Sequence, residues 1–162
     1  MSPIQRALSK LRKARSVDEG DDYADELARA ARKNVKEVID LYHTTKSDAF
    51  MLVWCLQGLT DIAVIDLYKE ALTHKDHYIR WAAIEGLKHS SRRALIPIFI
   101  AALKDRSDMV KGVAVEWLKS HGDVSAIGPL VRLSKLPSMT KNSSGTVNQA
   151  EKAVRRLRAK AT

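Results

Sequence analysis

The chain repeats itself with a fixed period. The shift that places Leu72 on Leu103 also superposes residues 79–87, IRWAAIEGL, on residues 110–118, VKGVAVEWL. A constant period between about 20 and 50 residues is typical of solenoids, whose units are single supersecondary motifs that bury each other's apolar faces. The repeat therefore restricts this chain to stacked copies of one small motif.

The same period extends toward the N-terminus, where Leu56 stands one repeat before Leu87 and Tyr68 stands one repeat before Phe99. Apolar residues within each unit recur at spacings of three and four, which favours amphipathic helices, and no segment alternates with a period of two. Proline is tolerated only near the start of a helix, so Pro97 marks where the second helix of its unit begins. We therefore predict an all-α fold, an α-solenoid of stacked antiparallel helix pairs.

We expect one domain with three segments. Residues 1–43 are predicted to form divergent N-terminal helices, residues 44–136 three repeats, and residues 137–162 a loop with a capping helix. Because the last repeat of a solenoid leaves an apolar face uncovered, a helix with a polar outer side is needed there. The last helix has apolar residues along one side: Val147, Ala150, Val154 and Leu157.

Two polar segments are predicted to be loops. Residues 16–22, SVDEGDD, are expected to precede a helix that starts at about Asp21, and residues 137–146, PSMTKNSSGT, are expected to precede the last helix. Thr146, with Gln149 three residues later, has the spacing of a capping box at the start of that helix.

The net charge of +9 is located at the two ends of the chain. Residues 1–15 contain five basic side chains and no acidic one, whereas residues 141–162 contain six basic side chains and one acidic one. The remaining 17 basic and 18 acidic side chains lie between these ends and nearly cancel. Basic ends indicate either solvated helix faces or a patch that binds phosphate groups.

The sequence indicates neither a membrane span nor a secretory signal. No apolar run reaches the ~18 residues that a membrane span needs, and the basic N-terminus lacks an apolar stretch. The single cysteine, Cys55, stands in the apolar run FMLVWCL, which favours a buried thiol over a nucleophile. We therefore expect the protein in the reducing cytoplasm.

Two pairs of segments resemble HEAT-like repeats, in particular the short bacterial form that is also found in phycobilin lyases. The first pair is IRWAAIEGL with VKGVAVEWL, and the second is ALIPIFIAALKD with SAIGPLVRLSKL. The resemblance implies a HEAT-like or armadillo-like superhelix over residues 48–136. It also implies a ladder of hydrogen bonds between neighbouring units, in which an Asp stands six residues before a basic residue. Asp105 stands in this way before Lys111, whereas His74 holds that place before Arg80.

The residue types that bind metals or carry catalysis do not combine into a site. The five histidines fall at predicted turns: His43, His74, His77, His89 and His121. A zinc site needs further converging ligands beside the close pair His74 and His77, so we predict neither a metal nor a cofactor. No nucleophile with a neighbouring base stands out, and we predict a protein that is not an enzyme.

The three tryptophans, Trp54, Trp81 and Trp117, are expected to pack between helices; the alternative is that they stack on nucleic-acid bases. Some DNA glycosylases that act on alkylated purines share the HEAT-like architecture, and they need aromatic residues and a carboxylate in a basic groove. Trp81 with Glu85 one turn later is the nearest match, but the central part of the chain is not basic. A glycosylase is therefore the least favoured function.

The second helices of the repeats are predicted to line a concave groove. Its exposed positions are Asp66, Lys69, Glu70, Arg92, Arg93, Ile100, Arg132 and Lys135. The middle helix, residues 94–103, is apolar nearly all round, and an apolar strip with charged neighbours suits a protein or peptide partner better than a polyanion. We therefore predict a non-catalytic protein-binding scaffold, such as a toxin-neutralising immunity protein or a regulatory adaptor. The alternative is nucleic-acid binding through the basic termini, with Arg155, Arg156 and Arg158 as phosphate contacts.

Overall fold

The computed structural model describes residues 1–45, 47–135 and 141–161, and every regular element in these ranges is helical. The α-helices, in chain order, are α1 (Pro3–Leu11), α2 (Val17–Lys33), α3 (Val35–Thr44), α4 (Ala49–Trp54), α5 (Ile62–Ala71), α6 (His77–Lys88), α7 (Ile96–Ala102), α8 (Asp108–His121), α9 (Ile127–Ser134) and α10 (Lys141–Ala161). Two 3₁₀ turns, Arg93–Leu95 and Val124–Ala126, lead directly into α7 and α9. The predicted all-α fold is confirmed. In the predicted repeats, α4, α6 and α8 are the first helices, and α5, α7 and α9 are the second helices.

Local sequence explains where several helices begin. Ser2 Oγ accepts a hydrogen bond from the Gln5 N–H at 3.1 Å, and Gln5 Oε1 accepts one from the Ser2 N–H at 3.0 Å, which together form a capping box at α1. Asn34 caps α3 and Asp76 caps α6 with their side-chain oxygens. These side chains satisfy amide groups that have no partner inside their own helix.

The prediction of a loop at residues 16–22 is wrong, because α2 begins at Val17. Ser16 Oγ accepts a hydrogen bond from the Glu19 N–H at 3.2 Å and so caps the helix. Asp18 and Glu19 place negative charge in the first turn, where it stabilises the positive end of the helix dipole. The acidic residues that we expected before the helix therefore form its beginning.

The predicted start of the last helix is also wrong. Helix α10 begins at Lys141, so Thr146 lies inside it and does not act as its cap. Pro137 is the last proline of the chain, and no residue after it forbids a helix through the polar stretch that follows. The part of the predicted loop at residues 137–140 lies outside the described residues.

The chain divides into two compact units, Met1–His89 and Ser90–Thr162. In Met1–His89, α1 packs on α2, and α6 packs on both α4 and α5. Arg12, directly after α1, donates hydrogen bonds through Nε and Nη2 to the carboxylate of Asp48, which is buried at the start of α4. Large apolar side chains from all six helices form the core of this unit, including Ile4, Leu27, Val38, Leu52, Val64 and Ile84. The predicted boundaries at residues 43 and 136 stay a prediction.

In Ser90–Thr162, α7 packs on α8, and α10 packs on both α8 and α9. Phe99 of α7 stacks on Trp117 of α8, with ring centroids 4.0 Å apart. Trp117 is buried, and its indole N–H donates a hydrogen bond to the Ser90 carbonyl at 3.2 Å. One side of α10 is apolar and buried, through Ala150, Ala153, Val154 and Leu157.

Candidate functional site

The exposed side of α5 carries the first three residues of the predicted groove, Asp66, Lys69 and Glu70. Lys69 Nζ lies 2.8 Å from Asp66 Oδ1, and His43 Nε2 lies 2.9 Å from Glu70 Oε2. These charged groups therefore already have partners inside the unit Met1–His89.

A cleft of about 600 Å³ opens beside Glu70 in the same unit. Its walls include Tyr42, Phe50 and His74. Burial raises the pKa of the Tyr42 hydroxyl, and the nearby charge of Glu70 raises it further. The hydroxyl therefore stays protonated at neutral pH and can donate a hydrogen bond.

Helix α7 exposes apolar surface. Pro97 and Ala101 are exposed, and Ile98 and Ile100 are half-buried. The other side of the helix is buried through Ile96, Phe99 and Ala102. A helix side that faces water normally carries polar residues, whereas the centre of a protein interface is depleted of charge. The exposed side of α7 therefore has the composition of an interface centre.

Helix α9 exposes basic residues at the equivalent positions of the repeat. Arg132 stands one repeat after Ala101, and Lys135, which follows the helix, stands one repeat after Lys104. All four residues are exposed. The repeat therefore keeps these positions exposed while the side chain changes from apolar Ala101 to charged Arg132.

Arg92 and Arg93 are exposed where the chain enters α7. Arg93 lines a cleft of about 500 Å³ together with Asp123 and Lys160. The Ser125 hydroxyl and amide donate hydrogen bonds to Asp123 Oδ1 at 2.5 Å and 2.9 Å. These bonds, with a smaller contribution from Arg93, lower the pKa of Asp123. Asp123 therefore supplies a stable negative charge beside the two cations.

The predicted phosphate contacts Arg155, Arg156 and Arg158 are exposed on α10. Lys152 is exposed as well, although we did not include it among those contacts. Its spacing of three and four residues before Arg155 and Arg156 is the signal that could have identified it, since residues so spaced share one face of a helix.

The predicted groove omitted two exposed residues of α7, Pro97 and Ala101. They stand one repeat after Asp66 and Glu70, so the period leads to them directly. Ile100, which we expected to be exposed, is half-buried. The period leads equally to Ile100, which stands one repeat after exposed Lys69, so the period alone does not decide which side of α7 is exposed.

The tryptophans pack against other aromatic rings. Trp54 stacks on Trp81 with ring centroids 5.1 Å apart, and Phe50 stacks on the same Trp54. Trp117 is buried and is therefore not accessible to a base. The carboxylate of Glu85 forms an ion pair with Lys88 at 2.7 Å. This arrangement gives no support to a glycosylase centre at Trp81 and Glu85.

Of the ladder positions that the resemblance implies, Arg80 contacts the turn before α6, and Lys111 pairs with Asp108 in the first turn of α8. Arg80 Nη1 donates hydrogen bonds to the carbonyl oxygens of His74 and Lys75, each at 2.9 Å. Lys111 Nζ lies 2.6 Å from Asp108 Oδ1 at the start of α8. These contacts stabilise the beginnings of α6 and α8.

The cysteine and the histidines are the remaining side chains that could react or bind a metal. Cys55 is buried, its thiol donates a hydrogen bond to the Leu52 carbonyl, and burial raises its pKa to about 12, so it is not a thiolate at neutral pH. In the part of the chain that the structure describes, no three His, Cys, Asp or Glu side chains are grouped so that they could hold a metal ion. No helix there has the length and apolar character to span a membrane.

The model of the family described as HEAT repeats matches residues 52–141, which is more than half of the chain. No curated protein matches the sequence. HEAT repeats generally serve as scaffolds for protein interactions, and the family is typically non-catalytic. The matched residues include the helices α5 to α9. The chain belongs to the HEAT-repeat family.

Proposed function

We propose that this chain is a non-catalytic scaffold that binds another protein through the exposed sides of α7 and α9. The observation that carries the proposal is the apolar exposed side of α7, where Pro97 and Ala101 face water. Apolar contacts form the centre of protein interfaces, and charged residues form the rim. Arg132 and Lys135 supply charged residues of this kind at α9.

The charges indicate the kind of partner. Arg93, Arg132 and Lys135 are exposed basic residues of the unit that contains α7, so a partner segment with apolar residues and an acidic rim is complementary to it. A toxin-neutralising immunity protein and a regulatory adaptor both act through such binding without catalysis, and the identity of the partner distinguishes them. The α5 residues Asp66, Lys69 and Glu70 remain proposed contacts.

The test compares Ala101→Glu with Val17→Glu. Each variant adds one negative charge at an exposed apolar position of a helix, but Val17 lies on α2, outside the proposed surface. Tagged proteins are incubated with a nuclease-treated lysate of the native host, and a protein retained by the wild type is identified, purified and titrated. We expect Ala101→Glu to weaken binding of that partner by at least about tenfold, and Val17→Glu to leave it unchanged.

Equal affinity of the wild type and Ala101→Glu for the purified partner would exclude the α7 surface. A protein that is retained from an untreated lysate but not from the nuclease-treated one is held through nucleic acid, and that result would favour the alternative function. An acidic partner should also associate more slowly with the double variant Arg132→Glu/Lys135→Glu, because reversed charges at the rim oppose its approach.

A further inference from the structure

The whole excess of positive charge belongs to one of the two compact units. Ser90–Thr162 contains 14 Lys and Arg residues and 5 Asp and Glu residues, whereas Met1–His89 contains 14 of each. Counted by unit, the net charge of +9 falls in Ser90–Thr162, because the basic residues 1–15 are balanced by acidic residues elsewhere in Met1–His89. Such a concentration of Lys and Arg in one unit is typical of proteins that bind polyanions.

Three of these cations share one side of α10, which we call the α10 basic face: Lys152, Arg155 and Arg156. Their spacing of three and four residues places their Cβ atoms about 5–6 Å apart on the helix surface. All three side chains are exposed. The opposite side of the helix is fixed by its buried residues Ala150, Ala153, Val154 and Leu157. A packed helix therefore directs three cations toward solvent.

Glu151, which is exposed four residues before Arg155, is the acidic residue of α10, and it forms no ion pair with this face. Among the described side chains, which exclude those of residues 46, 136–144 and 162, none forms an ion pair with Lys152, Arg155 or Arg156. A cation without an internal partner keeps its full attraction for an external anion.

The basic N-terminal segment differs in this respect. Lys10 Nζ lies 2.7 Å from Glu26 Oε2, and Arg12 binds the buried carboxylate of Asp48. These hydrogen bonds and the charge of Asp48 raise the pKa of Arg12. Two of the N-terminal cations are therefore committed to contacts inside the fold, whereas those of the α10 basic face are available to a ligand.

The surroundings of the α10 basic face indicate the class of ligand. The large hydrophobic side chains that are exposed in the described residues all lie outside α10: Met1, Val17, Ile62, Tyr78, Met109 and Val124. Of the exposed residues beside the three cations, Gln149 is polar and Ala159 is small, so the face offers charged and polar groups rather than a large apolar side chain. A membrane is disfavoured because the apolar side of α10 is buried in the unit and cannot enter a lipid layer. A nucleic-acid backbone requires only cations and polar groups, and Gln149 is exposed on the same helix.

We propose that the α10 basic face binds the phosphate backbone of a nucleic acid without reading its base sequence. Arg158 is exposed on the same helix and adds to the positive field. The binding surface lies on a different helix from the protein-binding surface proposed above, so each can be tested without the other. Affinity for nucleic acid depends on counterion release and falls steeply with salt.

The experiment compares two triple variants that each remove three positive charges. Lys152→Gln/Arg155→Gln/Arg156→Gln neutralises the α10 basic face. Arg29→Gln/Arg32→Gln/Lys33→Gln is the matched control, because these residues of α2 have the same spacing of three and four. Gln is tolerated well in helices, so both variants should remain folded. Binding to a short labelled duplex DNA of mixed sequence is followed by fluorescence anisotropy between about 50 and 200 mM salt.

We expect the α10 variant to bind at least about tenfold more weakly at low salt, and the slope of log K against log salt to fall by about 2 to 3. The α2 control should bind like the wild type, and two unrelated duplex sequences should bind equally. A charge-retaining variant, Lys152→Arg/Arg155→Lys/Arg156→Lys, should keep the affinity, which separates loss of charge from loss of fold.

Three results would overturn the proposal. Equal losses in the α10 and α2 variants would show an effect of net charge alone. Undiminished binding by a folded α10 variant would place the contact elsewhere. Binding to phosphatidylcholine–phosphatidylserine vesicles that exceeds binding to DNA, and that the α10 variant abolishes, would identify a membrane as the ligand.

Discussion

The ring of Tyr68 lies directly against Gly86, so that a Cβ atom at position 86 would come within 2.2 Å of Tyr68 Cζ and 2.5 Å of Cε1. One repeat later, the equivalent positions hold Phe99 and Trp117, whose rings are nearly parallel at 8° and 4.0 Å apart. One helix contact of the repeat is therefore filled in two ways. In the earlier unit, the Tyr68 ring packs on the backbone of Gly86, which has no side chain. In the later unit, the rings of Phe99 and Trp117 stack on each other.

Gly86→Ala should destabilise the protein by about 1–3 kcal/mol, because the added methyl group overlaps a ring that is fully buried and cannot move into solvent. Gly112→Ala is the control. It lies inside α8, and the nearest atom to its added methyl group is Thr146 Oγ1 at 3.9 Å. This second variant should be more stable than the wild type by up to about 1 kcal/mol through helix propensity. Urea denaturation measures both, and equal effects of the two variants would contradict the close contact at Tyr68.

Tyr68→Phe should stabilise the protein by about 1 kcal/mol, because the buried hydroxyl has no hydrogen-bond partner among the described residues. Burial also raises the pKa of Tyr68, so the folded state keeps a proton that the unfolded chain loses above pH ~10. The wild type therefore loses stability as the pH rises above that value, and the advantage of the variant should grow. Denaturation at neutral pH and above pH ~10 checks both statements; a less stable variant at neutral pH would mean that the hydroxyl is satisfied.

Cys55 should make stability fall with rising pH above 9. Burial raises its thiol pKa from 9.0 to about 12, so between these values the unfolded state binds fewer protons than the folded state. The contribution is fully present below pH 9 and is lost as the pH rises, by up to about tenfold in the folding equilibrium constant per pH unit. Cys55→Ala removes this pH dependence. The difference in the free energy of unfolding between the variant and the wild type should therefore shrink above pH 9. A thiol reagent should react with the wild type only in denaturant, and rapid reaction of the folded protein would contradict the burial.

Arg12→Gln should lower the melting temperature more than Lys10→Gln. Arg12 is the partner of Asp48, a carboxylate only 7% exposed, whereas Lys10 pairs with Glu26 where both groups are well exposed. Removal of a partner from a buried charge leaves that charge uncompensated, but an exposed pair contributes little. Thermal unfolding of both variants at one pH is the measurement. Identical melting temperatures would mean that water replaces Arg12 at Asp48.

The helical fold could be predicted from the sequence because apolar spacing and proline positions are properties of short segments. The two helix starts that were predicted wrongly have a common cause. Residues 16–22 and 141–146 are polar, and polarity alone does not separate a loop from the solvated first turns of a helix. Ser16 was the sufficient signal for α2, since it stands at the N-cap before two acidic residues.

The exposed positions on the second helices could be predicted only in part. Asp66, Glu70, Arg132 and Lys135 were recognisable because they are charged. Pro97 and Ala101 were missed because small or apolar residues carry no signal of exposure by themselves. The packing of α7 on α8, which the local sequence does not encode, covers one of its apolar sides.

The sequence by itself determined the helical fold and the period that carries Leu72 onto Leu103, because the period and the amphipathic spacing are local and repeat along the chain. The tertiary structure decided which cations have partners. Lys10 meets Glu26 and Arg12 meets Asp48 across 16 and 36 residues of chain, whereas Lys152 and Arg155 find no carboxylate in the described residues. An ion pair forms only where side chains from different helices come within a few ångström, and that distance is set by how the helices pack.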